Sequence, residues 1–227
     1  LGLPLAFVAL PLYVLLPNYY AREFGVPLAT LGVVLLAARL FDALIDPVIG
    51  RGCDRLFARS CGAVLRAGAG AALLLAAGFG LLFFPPVQGL PALVAWATVL
   101  LVITYAAYSA LSVAHQSWGA MLGGDEAYRS RVVAWREGLG LLGVVLASVT
   151  PALLGLPATV AVFCVALVVG WIGWTRAVQP RPAGTHAAGD LWQPWRQPAF
   201  RRLLAVFVLN GIASAVPATL VLFFVQD

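Results

Sequence analysis

The chain has 227 residues, 62% of them hydrophobic and only 10% charged, with a mean hydropathy of +0.96. A soluble domain is about half apolar and about a quarter charged, so this composition excludes a water-soluble fold and makes the bilayer the solvent. The net charge of +5 rests on 14 basic residues, all arginine; they sit in short breaks between apolar runs, which excludes a nucleic-acid surface.

A spanning helix needs about 20 mostly apolar residues, and seven runs qualify: 1–17, 28–50, 62–84, 92–121, 132–155, 157–175 and 200–225. The first opens at Leu1 without the basic n-region or small-residue cleavage site of a signal peptide. Asn18, Arg22 and Glu23 mark its end, and Arg51 to Arg59 follow the second run. Pro85-Pro86 close the third, Gly123 to Arg131 the fourth, and Gly155 to Pro157 part the fifth from the sixth. A polar stretch over 176–202 then carries Pro180, Pro182, Pro194 and Pro198 with Gly184 and Gly189, the composition of a linker. Beyond it Pro217-Ala218-Thr219-Leu220-Val221-Leu222 echoes Pro11-Leu12-Tyr13-Val14-Leu15-Leu16 in the first run, as if the chain begins again.

The expected organisation is a six-helix bundle over 1–176, a cytosolic linker over 177–199 and the first helix of a second bundle over 200–227. The fold class is an all-α polytopic membrane protein, read as a fragment of about twelve helices in two parallel halves. Arginine alternates between the breaks. The second, fourth and sixth are Arg-rich; the third and fifth have no charge, and the first has one Arg offset by Glu23. Arg-rich loops stay in the cytoplasm, which predicts a multi-pass protein of the cell (inner) membrane with a cytosolic N-terminus. Cys53, Cys61 and Cys164 form no CxxC pair, so neither a disulfide framework nor a zinc site is expected.

Charge inside the bilayer is costly and usually marks function. The second run holds Arg39, Asp42 and Asp46, which fall on one helical face with Gly50. Two carboxylates at i, i+4 in low dielectric need a cation, an Arg or a proton to compensate them. Pro47 leaves the Ala43 carbonyl without its helical donor, a further oxygen for a cation. The alternative is a buried ion-pair network that holds helices in register.

In the fourth run Tyr105, Tyr108, Ser109, Ser112, His115 and Gln116 share a face, fitting either a water-filled cavity or interhelical hydrogen bonds. His115 is a candidate proton carrier, with a satisfied helix-end side chain as the alternative. Arg136 and Glu137 open the fifth run, and Arg136 either neutralises an aspartate, meets an anionic substrate or snorkels. Gly138-Leu139-Gly140-Leu141-Leu142-Gly143 spells GxGxxG without a strand before it, so it reads as close helix packing and not as a dinucleotide site. GxSxG, HExxH and a Walker lysine are all missing, so no enzyme is expected.

Gly50-Arg51-Gly52-Cys53-Asp54-Arg55 resembles the G-x3-D-R loop between the second and third helices of the major facilitator superfamily. Arg39-Leu40-Phe41-Asp42-Ala43-Leu44-Ile45-Asp46-Pro47-Val48-Ile49-Gly50 resembles the R-x-x-D-x3-D-P-x-x-G signature of its glycoside–pentoside–hexuronide:cation symporter group, the melibiose permease relatives. Tyr19-Tyr20, Tyr108 and Arg136 also stand where that group has such residues. The resemblance implies a major facilitator fold and cation-coupled symport of a small organic solute by alternating access. It implies a cation-coupling site at Asp42, Asp46 and Ser109, where Na+ or H+ is the coupling ion and no cofactor is needed.

Tyr108, Ser112, Arg136 and Arg39 are then expected along the substrate path, and Gly50, Asp54 and Arg55 in a conformational loop. Ile45 replaces a polar residue, and the group's sugar-binding acidic residues align with Ala6 and Ser112, so the resemblance carries over the cation machinery but not the sugar-gripping carboxylates. The alternatives are a lipid, lysolipid or other amphiphile transporter of the same fold, and a non-transporting membrane sensor or scaffold. The expected partners are a solute and the lipid bilayer, without nucleic acid, for a protein acting as a monomer.

Overall fold

The computed structural model describes residues 1–180 and 193–210 together with Ala213; most of the expected linker and the restart at 217–222 lie outside the described residues. The chain divides into two compact units, Leu1–Gly184 and Thr185–Asp227. In the second, the described part is a single helical turn, Gln193–Arg196, and a helix over 198–210 with Leu203, Val206, Phe207 and Leu209 exposed.

All regular structure among the described residues is helical. Five helices are long and apolar enough to cross a membrane: Gly2–Phe24 (α1), Leu28–Arg59 (α2), Cys61–Phe83 (α3), Leu90–Ala120 (α4) and Glu126–Thr175. The last is two spans in one. At Gly155 the backbone takes φ 80° and ψ 177°, a conformation that favours glycine, and divides it into α5 (126–154) and α6 (156–175).

The packing shows that the chain reverses there. Gly143 abuts the Leu3 backbone, and Gly170 lies against Pro4 and Leu1. Residues 27 apart on a straight helix would be about 40 Å from each other, yet these two flank the same turn of α1. The 50-residue helix is thus two antiparallel helices, α5 and α6.

The observed ends differ from the sequence reading in three places, one being the start of α5 at Glu126, inside the break expected over Gly123 to Arg131. Asn18, Arg22 and Glu23 do not break α1, which continues to Phe24 and stops at Gly25 with φ 65°. Gly50, Asp54 and Arg55 are not in a loop, because α2 continues unbroken to Arg59. The cause is local: after Pro47 no proline interrupts the run, and each of Gly50 and Gly52 costs a helix only about 1 kcal/mol. Ser60 ends α2 by becoming the N-cap of α3, its Oγ accepting from Ala63 N at 3.0 Å.

Within the first unit α4 lies between α2 and α3, and α1 lies along α5 and α6. Phe7 stacks on Phe163, which meets Phe79 of α3, and this buried aromatic row links α1, α6 and α3. Leu36, Leu44, Leu73, Leu153 and Val169 are each more than half exposed, an arrangement that needs lipid tails or further apolar protein surface against it.

The two ends of the bundle are chemically different. At one, Phe57 of α2 meets Trp118 of α4, Trp118 meets Trp174 of α6, and Gly2 of α1 abuts Arg136 of α5. Here the chain leaving α6 folds back: Trp118 Nε1 donates to Val178 O at 3.0 Å and Cys61 Sγ to Pro180 O at 3.6 Å. Arg51, Arg55, Arg59, Arg66, Arg129, Arg131 and Arg176 all belong to this end by their places on the helices. At the other, Tyr20 Oη donates to Leu82 O at 2.9 Å and Trp96 Nε1 to Leu81 O at 3.1 Å, amid Tyr19, Phe24 and Phe83.

Candidate functional site

Asp42 lies roughly 20 Å along α2 from its start, deep between the two ends. It is 6% exposed, one of the few polar residues buried in the bundle. Because α4 is laid along this face of α2, Ser109 reaches it: Ser109 Oγ donates to Asp42 Oδ1 at 2.8 Å. Arg39, one turn earlier, places Nη1 3.4 Å from Asp42 Oδ2. That is a long pair, since charge-assisted N–H···O bonds ordinarily run to about 2.7–2.9 Å. Asp46, one turn later, is exposed and forms no ion pair among the described residues. The structure therefore brings Arg39, Asp42 and Ser109 together and leaves Asp46 open beside them.

Two aromatic residues complete the group. The Arg39 guanidinium carbon lies 3.9 Å from the Tyr13 ring centroid and 4.4 Å from that of Tyr105. The two rings face each other at 6.2 Å and 26°. Tyr13 comes from the π-helical segment Pro11–Leu15 of α1, where the extra residue per turn rotates it toward α2 and α4. Sequence spacing did not single out Tyr13, and it placed Tyr105 in a polar stripe; both act here through their rings. The only one-dimensional signal was Pro11 inside an apolar run.

The remaining candidates separate. Tyr108 and Ser112 are half-buried on α4, one turn apart, and Gln116 is exposed further along. His115 packs edge-on against Trp174 at 5.8 Å, towards the Arg-rich end. Arg136 is engaged by its neighbour: Nη2 and Nε donate to Glu137 Oε1 at 2.7 and 3.1 Å. It does not neutralise an aspartate of α2. Asp54 and Arg55 are exposed on the last turns of α2, away from Asp42. Tyr20 is a structural residue, fully buried with its hydroxyl on the Leu82 carbonyl. Ala6 faces Gly140 in the seam between α1 and α5, where a Cβ added to Gly140 would lie 3.7 Å from the Ala6 Cβ.

An all-α bundle with a lipid-facing exterior and a carboxylate buried among hydroxyl, guanidinium and aromatic groups is the construction of a polytopic solute carrier. The sequence family described as MFS/sugar transport protein matches residues 2–227, and the chain belongs to it. It is a multi-pass membrane protein of the major facilitator superfamily, in a family of transporters. Neither the curated proteins nor the solved structures contain a match to the chain.

Proposed function

We propose that the protein is a secondary active transporter of the melibiose-permease-like group, coupling a small organic solute to Na+ or H+ by alternating access. One observation carries this reading: Asp42 is buried mid-helix with Ser109 on one oxygen, and Asp46 stands exposed one helical turn away. A mid-membrane carboxylate facing hydrocarbon would be strongly unfavourable, so the Asp46 face meets water or protein. Carboxylate and hydroxyl oxygens are hard donors suited to a small cation, and either aspartate also takes a proton. The coupling ion is substrate here, held by Asp42, Asp46 and Ser109.

Tyr108, Ser112 and Arg39 line the path of the solute, and Arg136 serves it from the Arg-rich end. Ala6 and Ser112 offer no carboxylate to grip a sugar, so recognition rests on hydroxyls, rings and guanidinium groups. The test is uptake by the full-length protein in vesicles across a solute panel, with and without a sodium gradient and at two external pH values. Accumulation of one solute that collapses with the gradient supports the reading; gradient-independent equilibration of every solute overturns it.

The arginines gathered at one end favour a cytosolic placement of that end and of the N-terminus. Arg55→Cys is accordingly expected to react with a membrane-impermeant maleimide only after the membrane is opened. Gln88→Cys, in the break between α3 and α4, is expected to react in intact cells. Reaction of Arg55→Cys from outside would reverse the orientation.

A further inference from the structure

We propose that Tyr13 and Tyr105 are positioning residues that hold the Arg39 guanidinium beside Asp42 without letting it close on the carboxylate, leaving Asp42 open to an incoming metal cation. The inference rests on the coupling-site reading above and adds two residues and a direction of effect to it. Its basis is a balance of two attractions on one side chain. Arg39 is pulled toward Asp42 Oδ2 by charge, yet stops at 3.4 Å, longer than an optimal ion pair. It is also held over two ring faces, at 3.9 and 4.4 Å, within the range of cation–π attraction.

The rings differ from a second carboxylate in one decisive respect. They stabilise the guanidinium without an anionic charge of their own, so Arg39 has a place to remain when Asp42 turns to a cation. Without such a place, a metal ion could engage Asp42 only by leaving a guanidinium unpaired in the bundle, which is strongly unfavourable.

The three residues come from three helices, α1, α2 and α4, so the arrangement is a product of the packed fold. Tyr105 is 2% exposed, and its ring lies 4.4 Å from the Arg39 guanidinium carbon. Tyr13 is 44% exposed, so its removal leaves the core intact. If the rings hold Arg39 off, deleting either lets the guanidinium settle on Asp42 and compete with the cation. A cation–π contact of this kind corresponds to roughly a threefold to thirtyfold change in an equilibrium constant.

The experiment is calorimetric titration of NaCl into the purified full-length protein in sodium-free detergent buffer, with thermal unfolding as the check on folding. Tyr13→Leu and Tyr105→Leu are expected to weaken Na+ binding roughly tenfold, and Tyr105→Phe to restore the wild-type affinity. Adding Arg39→Gln to Tyr13→Leu is expected to recover binding, because the competitor is gone. A folded Tyr13→Leu protein that binds Na+ as the wild type does would overturn the inference while leaving the coupling site standing. Weakened binding that Arg39→Gln does not recover would overturn it too, since the loss would then not pass through Arg39. Wild-type protein that binds no Na+ removes the metal cation from the site altogether, and the inference with it.

Discussion

Asp46→Asn is expected to abolish concentrative uptake while the protein still inserts, folds and keeps its thermal stability. The side chain is exposed and forms no ion pair among the described residues, so its charge supports no contact of the bundle. What the substitution removes is negative charge one turn from Asp42, and with it the attraction for a coupling ion. Asp42→Asn is expected to abolish coupling as well, but with a cost in stability. It takes the anionic partner from Arg39, while the amide oxygen still accepts from Ser109. Arg39 is one-third exposed and retains its two rings, which places that cost on the order of 1–2 kcal/mol and below that of a fully buried broken pair. The measurements are gradient-driven uptake and unfolding temperature for each variant. Ion-coupled uptake that survives unchanged in both variants would end the coupling-site proposal; collapse of folding in Asp46→Asn would make the pair a structural element.

Gly143→Leu is expected to cause the largest loss of stability among the glycine positions of α5. A Cβ at Gly143 would run into the carbonyl oxygen, carbonyl carbon and Cα of Leu3, all of them backbone, so no rotamer change relieves it. Either α1 moves away from α5 or the variant does not fold. Overpacking costs typically about 1–3 kcal/mol where side chains can yield, and here they cannot. A fall of roughly 10 °C or more in unfolding temperature follows for a protein of this size. Gly138→Leu is the control, because nothing lies within 4 Å of a Cβ there. Equal destabilisation by the two substitutions would show that helix propensity or lipid exposure, and not the α1–α5 seam, governs this stretch.

Much of the frame was legible in one dimension. Insertion into a bilayer is decided window by window, by the transfer free energy of about 20 consecutive residues, so 62% hydrophobic composition and the placing of the apolar runs suffice to read an all-α membrane fold. The GxGxxG stretch was legible as packing, although only Gly140 and Gly143 of its three glycines face α1. Span ends were less legible. Polar residues at Asn18 and Arg51 read as breaks, but a helix emerging into water keeps its hydrogen bonds until a residue such as Gly25 or Ser60 ends them.

The same division holds for the site. The sequence by itself determined that two aspartates and an arginine share a face of one spanning helix, because 3.6 residues per turn relates positions 39, 42 and 46 without reference to any other element. Which of them would be buried was open, and only the tertiary structure decided it: α4 covers Asp42 and brings it Ser109 from 67 residues away, while Asp46 remains exposed. The same packing turned Tyr13, through the π segment at Pro11, and Tyr105 toward Arg39. Such contacts depend on how helices are rotated and offset against one another, and that is settled by small residues such as Gly78, which leaves room for Thr104 between α3 and α4. No local window contains that information, because the energy that fixes it is shared between surfaces far apart in the chain.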